Sequence, residues 1–296
     1  NGEVDEERFR SLRLARGVYG QRQPGVQMVR IKLPYGRMTR EQLLRIADVS
    51  DEYATGDLHL TTRQDIQIHY VNLDRTPELW AQLEQDKVTL REACGNTVRN
   101  VTASDKAGID PNEPFDVTPY ADAFFRYFLR NPICQEMGRK FKVAFSSSEK
   151  DDGMTFMHDL GFIPKLQDGA RGFKVMIGGG LGAQFFHAYT ATEFMPEEEI
   201  IPFAEAVLRV FDRHGERSKR MKARFKFLIK EYGLEEVLRL VEEERNGLAQ
   251  QRIAIDREAV PAAEPPQVID YPQVEVDEDA FAQWQATYVF EQKQVC

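Results

Sequence analysis

Between Thr61 and His69 the chain reads Thr-Thr-Arg-Gln-Asp-Ile-Gln-Ile-His, an alternation that predicts a strand with one wet and one dry face. Side chains two apart on a strand share a face, so Arg63, Gln67 and His69 fall together while Ile66 and Ile68 point the other way. Three more short basic stretches accompany it: Met28-Val-Arg-Ile-Lys32, Asn96-Thr-Val-Arg-Asn100 and Gly138-Arg-Lys-Phe-Lys142. Read as strands, the first gathers Arg30 with Lys32 and the last gathers Lys140 with Lys142. The Asn96 stretch reads as a polar turn carrying Arg99, with Cys94 beside it as a small core residue. Such faces suit a small anion or a polyanionic cofactor.

These basic stretches lie in an acidic chain. A formal net charge of -9 excludes general binding to nucleic acid or to an anionic membrane, which draw most of their affinity from a basic surface. The basic groups are therefore expected to point inward. The 296 residues are enough for two structural units. Three distant cysteines, Cys94, Cys134 and Cys296, give no disulfide framework and point to a reducing, cytoplasmic compartment. They are too few for a structural zinc or a four-thiolate iron–sulfur site. No run approaches the roughly 18 apolar residues of a membrane helix. Asn1 opens an acidic stretch rather than a signal peptide, and the missing initiator Met leads us to expect that the start of the protein is absent.

Along the chain, residues 26–33, 39–54 and 57–72 are predicted as strand, helix and strand, with Thr39 and Gln42 as a capping box. Helices are predicted over 76–85, 120–129, 196–211, 215–232 and 234–246, and strands over 140–145 and 171–177. The last strand runs into Gly178-Gly-Gly-Leu-Gly182, formally a dinucleotide fingerprint, but no amphipathic helix follows to meet a pyrophosphate. The better reading is that Gly179 and Gly180 let a bulky planar cofactor approach the backbone. Residues 251–279, rich in Pro, Ala and acid, read as a connector. After it, Val289-Phe-Glu-Gln-Lys-Gln294 echoes Val18-Tyr-Gly-Gln-Arg-Gln23, as though a second copy of the first unit were beginning.

Each basic group also has a structural reading. Arg63 can pair with Asp65, Arg30 and Lys32 can form a solvated face, and Arg220, Lys222, Arg224 and Lys226 can be the basic end of a helix. As a functional element that last cluster would hold cofactor carboxylates, arginine gripping them bidentately.

Taken in order, the motifs Arg-Gly-Val-Tyr, Val-Arg-Ile-Lys-Leu-Pro, Leu-Thr-Thr-Arg-Gln-Asp-Ile-Gln-Ile-His, Ala-Cys-Gly-Asn-Thr-Val-Arg-Asn-Val, Arg-Lys-Phe-Lys and Gly-Gly-Gly-Leu resemble the siroheme-containing nitrite and sulfite reductases, from about residue 10 to 246. The resemblance implies an α+β fold: a ferredoxin-like half domain over 10–75, an α/β siroheme/4Fe-4S-type domain over 76–248, a linker over 249–279, and at 280–296 the truncated start of a second half domain, the first part of an internally duplicated architecture. It implies an oxidoreductase of sulfur or nitrogen assimilation that reduces sulfite to sulfide, or nitrite to ammonia, with ferredoxin or a flavoprotein subunit as electron donor. Arg30, Arg99, Lys140 and Lys142 match the family's substrate-facing cations, and Arg63 matches an arginine of the cofactor environment. Gln67, His69, Asn100, Gly179, Gly180, Arg220, Lys222 and Arg224 are the further candidates for holding siroheme. The third basic strand looks like the sulfite type, because nitrite reductases tend to have Asn where Lys142 stands.

One departure matters. The family's cluster cysteines lie in its second half, so they are expected beyond Cys296, and this chain alone is expected to lack the 4Fe-4S cluster and to be inactive as a fragment. The related precorrin-modifying oxygenase, or a non-catalytic anion- or tetrapyrrole-binding module, are the alternatives on the same scaffold.

Overall fold

The computed structural model describes residues 3–260 and 275–290. Helix α1 (Glu6–Ala15) opens with Asp5, whose carboxylate accepts from the Arg8 N–H at 2.9 Å, and leads into β1 (Val18–Gly20). Strands β2 (Val26–Ile31), β3 (Leu58–Leu60) and β4 (Ile66–Asn72) complete an antiparallel sheet in the order β1-β2-β4-β3. On it pack α2 (Arg40–Tyr53) and α3 (Thr76–Glu84). The capping box at Thr39 and Gln42 is present, the hydroxyl accepting from the Gln42 N–H and the Gln42 amide oxygen accepting from the Thr39 N–H. Ile31, Ile46, Ile66, Ile68 and Leu79 form this unit's dry core, which continues to Leu90, past the boundary expected at residue 75.

The second sheet runs β5 (Val98–Ala103), β6 (Phe141–Phe145), β7 (Leu160–Gln167), β8 (Ala170–Ile177) and β9 (Tyr189–Pro196), the first three parallel and the rest antiparallel. Helices α4 (Thr118–Phe128), α5 (Ile200–His214), α6 (Phe225–Tyr232) and α7 (Leu234–Asn246) enclose a core dominated by phenylalanine. Phe124, Phe145, Phe162 and Phe173 meet there in edge-on, tilted and stacked pairs 4.8–6.0 Å apart. The α+β class is thus as expected.

Four expectations are corrected. Residues 57–72 are a hairpin rather than one strand: the Thr61 hydroxyl accepts from the N–H groups of Arg63 (3.2 Å) and Asp65 (3.1 Å), and Gln64 turns the chain at φ +57°. Arg63 therefore sits in the turn and not on the strand face of Gln67 and His69. Residues 98–100 begin β5 instead of lying in a polar turn. The helix expected from 215 starts only at Phe225, because the Glu216 carboxylate accepts from the N–H groups of Ser218 and Lys219 and holds a turn, leaving Arg220–Lys222 as a single 3-10 turn. The described front of the expected linker is tied down, Ile253 donating to the Glu198 carbonyl (2.8 Å) and Arg252 pairing with Glu199 (3.1 Å).

Helix α8 (Glu278–Tyr288) occupies most of the described part of the expected second half domain; the later positions of the terminal echo, and Cys296, lie outside the described residues. Among the described residues no helix is long and apolar enough to cross a membrane.

Candidate functional site

The two sheets meet at the β3–β4 turn. The Gln64 side chain imitates a strand partner for the end of β5, its oxygen accepting from the Ala103 N–H (3.1 Å) and its amide donating to the Ala103 carbonyl (2.7 Å). Asn100, fully buried, ties the same turn down by donating to the carbonyls of Leu33 (2.6 Å) and Arg63 (3.0 Å). Between these anchors lies a cavity of about 480 Å³, walled by Arg30, Arg63, Asp65, Arg99, Lys140 and Lys142 and closed off by His59 and Gln67.

Each cation arrives from a different element. Arg30 lies opposite Gln67 in the β2–β4 register, and with the Gln67 amide oriented to satisfy both neighbours its oxygen accepts from Arg30 Nε (3.1 Å) while its NH2 donates to His69 Nε2 (3.1 Å). Lys140 and Lys142 flank Phe141, whose ring is buried against Phe211 and Phe225, so both ammonium groups are turned to the cavity side of β6. Desolvation lowers each of them to about 8, the cationic neighbours adding to the effect. Arg99 spends two donors on the loop before β5, reaching the carbonyls of Gly95 (3.0 Å) and Ala93 (2.9 Å). Its burial lowers its pKa as well.

Arg63 does not pair with Asp65. Its guanidinium donates to the carbonyls of Asn100 and Val143 (3.1 Å for the latter) and to His158 Nε2 (2.6 Å). His158 Nδ1 meets the Met154 carbonyl (2.7 Å), which fixes the ring as a neutral tautomer that donates to Met154 and accepts from Arg63. Desolvation, then Arg63, pushes this imidazole down to about 3. Beside it, fully buried Asp159 accepts the Lys142 backbone N–H (2.9 Å) and both oxygens accept from Arg224 NH2 (2.9 and 2.7 Å).

Of the candidate residues, the structure brings Arg30, Arg63, Gln67, Arg99, Lys140 and Lys142 to one cavity, with Asn100 beneath it. His69 sits one step behind, edge-on to His59 at 5.9 Å. Lys32 does not share the site: it is buried, donates to the Val98 carbonyl (3.2 Å) and lies 3.8 Å from Glu92. Arg220 is exposed on the rim of a larger cavity of about 1220 Å³, which shares Arg30, Arg99 and Lys140 with the smaller one. Lys222 is exposed, and Arg224 belongs to Asp159. The glycines are corrected: a Cβ on Gly179 would meet the Phe156 carbonyl oxygen at 2.4 Å, and one on Gly180 the Lys226 side chain at 3.1 Å. The close approach they permit is by protein. Lys226 itself leaves the basic-face reading, buried and donating to the carbonyls of Gly180 (3.3 Å), Leu181 (3.1 Å) and Gln184.

Three contributors were missed. Asp65 had a signal, its place on the polar face between Arg63 and Gln67. His158 and Asp159 had only their position before the apolar run of β7, because their partners are distant in sequence.

Residues 94–247 match the nitrite and sulphite reductase 4Fe-4S domain, and residues 19–86 the nitrite/sulfite reductase ferredoxin-like half domain. The assimilatory ferredoxin-dependent nitrite reductase of Haloferax mediterranei is 33% identical over 250 residues, covering 77% of this chain and 42% of that protein. Sulfite reductase (ferredoxin) 1 of Mycolicibacterium paratuberculosis is 29% identical over 218 residues, covering 73% and 39%. The chain spans about two-fifths of the length of these relatives. The structure of the Mycobacterium tuberculosis NirA protein superposes with a TM-score of 0.75 at 27% identity, over 91% of this chain and 50% of that one. Dissimilatory sulfite reductase I shares the fold, with a TM-score of 0.64 at 12% identity.

Proposed function

Because the chain belongs to the nitrite and sulphite reductase family, we propose that its cationic cavity is the substrate-facing wall of a siroheme centre that reduces sulfite to sulfide or nitrite to ammonia. The observation that carries this reading is the convergence of Arg30, Arg63, Arg99, Lys140 and Lys142 on one cavity of about 480 Å³. Gathering five cations costs desolvation and mutual repulsion, which a bound anion would offset.

The donor set fits a polycarboxylate tetrapyrrole: guanidinium and ammonium groups line both cavities, and the Nε atoms of Arg63, Arg139 and Arg224 are buried without hydrogen-bond partners. Arg63, Gln67, Arg139 and Arg220 would hold the group, which when bound would supply electrons to the central atom of the substrate. A 4Fe-4S cluster does not fit the described residues. Cys94 and Cys134 are buried free thiols whose pKa values burial raises, and no group of three metal-ligating side chains is formed among those residues.

In this reading Arg30, Arg99, Lys140 and Lys142 bind the oxyanion and polarise its bonds to oxygen. With pKa values near 8, Lys140 and Lys142 are charged at neutral pH yet able to give up a proton. Both curated relatives are named for ferredoxin, which we take as the electron donor. Helix α8 stands before Val289 as α1 stands before Val18, which supports a second half domain opening at that point. The protein expressed from its full coding sequence should carry siroheme absorption; a colourless product would overturn the reading. Lys142→Asn should shift the turnover ratio toward nitrite, and an unchanged ratio would remove the preference for sulfite.

A further inference from the structure

Asp65 is the one carboxylate among the groups that wall the smaller cavity, and no direct partner clamps it there among the described residues. Its residue is 3% exposed, and its Oδ1 is buried with no hydrogen-bond partner. Neither of its carboxylate oxygens enters an ion pair among the described residues, although the β2–β4 register, with Ile31 opposite Ile66, sets it beside Lys32. A carboxylate that served only to balance charge would be clamped by Arg63, as Asp159 is by Arg224. Here the turn at Gln64 sends Arg63 to His158 instead and leaves Asp65 facing the cavity.

Resting on the reading of this cavity as an oxyanion site, we propose that Asp65 is a proton donor to the bound anion, taking up a proton as the anion enters and passing it to an anion oxygen. In the transfer the O–H bond at the Asp65 carboxyl breaks and an O–H bond forms on the oxyanion. The carboxylate left behind is stabilised by the cations around it and recovers its proton from water in the cavity. No electron moves in this step. The groups facing Asp65 are Arg30 from β2, Lys32 just after it, Arg63 from its own turn, Arg99 from β5, Lys140 just before β6 and Lys142 on it, with His59 of β3 also on the cavity wall. Burial outweighs the attraction of those cations and pushes the carboxyl up to about 6, where it is half protonated. An anion settling among the cations screens them from Asp65 and raises it further, so anion and proton enter together.

The test uses the protein expressed from its full coding sequence and nitrite, which does not change protonation near pH 6. Isothermal titration in buffers of different ionisation enthalpy should show uptake of up to about half a proton per nitrite bound at pH 6, a limit set by a carboxyl that is half protonated there. Asp65→Asn should abolish that uptake and make nitrite affinity independent of pH between 5 and 7. His59→Gln should retain both. Independently of binding, the Asp65 carboxyl carbon followed by NMR should titrate near pH 6. Nitrite binding with the same uptake in Asp65→Asn, or a carboxyl midpoint below about 4, overturns the role of Asp65 and leaves the anion site standing. Failure of nitrite to bind even at millimolar concentration overturns both.

Discussion

Replacing Asp65 by Asn removes a charge for which the fold supplies no direct partner, and the consequence for stability can be worked from the structure. Asn keeps the shape of the protonated acid, so the comparison isolates ionisation. The folded pKa of about 6 against an ordinary 3.8 means that the folded chain holds this proton more tightly than the unfolded chain does. Below pH 3.8 both states carry the proton and Asp65 is neutral in its effect. Between 3.8 and about 6 the unfolded chain ionises first, so stability falls as pH rises. Above about 6 the full penalty is present, which at about 1.4 kcal/mol per pH unit amounts to ~3 kcal/mol. Asp65→Asn should therefore be more stable than the parent by about that amount at pH 7, and nearly equal to it at pH 4. Urea unfolding of both proteins at pH 4, 5, 6 and 7, compared at constant m-value, measures the difference. Lower stability of Asp65→Asn at pH 7, or a difference that does not grow with pH, would refute the reasoning. A gain in stability with a loss of proton uptake is the trade expected where a strained group serves function.

Further outcomes follow from the supporting residues. His158, with its pKa pushed from 6.5 down to about 3, withholds stability as pH falls: its contribution is intact above 6.5 and lost toward 3, a span worth ~5 kcal/mol at about 1.4 kcal/mol per unit, so His158→Gln should flatten the acid limb of an unfolding-versus-pH profile. Arg224→Leu should lower stability by about 3–5 kcal/mol in denaturant melts, because fully buried Asp159 is left charged and unpaired. Gly179→Ala should cost about 1–3 kcal/mol or prevent folding, since its Cβ would be driven into two backbone carbonyl oxygens, those of Phe156 and His158.

Much of the fold was legible because local rules agreed with the tertiary outcome. The capping box at Thr39 and Gln42, the apolar spacing of α5 and the run of Leu234–Asn246 each specify a helix through contacts within one turn. Edge and junction elements were less legible. The β3–β4 hairpin hid because alternating stretches flank the polar run Thr61 to Asp65, which interrupts them and in which the Thr61 hydroxyl closes a turn. Strand β5 was hidden because its opening Val-Arg-Asn puts adjacent polar side chains on opposite faces, where Arg99 holds loop carbonyls and Asn100 turn carbonyls.

By itself the sequence determined which residues are cationic and on which strand faces they stand, since alternation along a strand is a local property of the backbone. It therefore determined that Lys140 and Lys142 share a face, on either side of Phe141, whereas the pairing of Arg30 with Gln67 came only with the β2–β4 register. Only the tertiary structure decided which of the charged groups stay free to meet a ligand. Arg63 is drawn to a histidine 95 positions away, Lys32 is sealed beside Glu92, Lys226 fills the glycine run, and Asp65 is left without a partner. The physical reason is that desolvation and pairing depend on what every other segment places within a few ångströms, and no spacing along one segment encodes that distance.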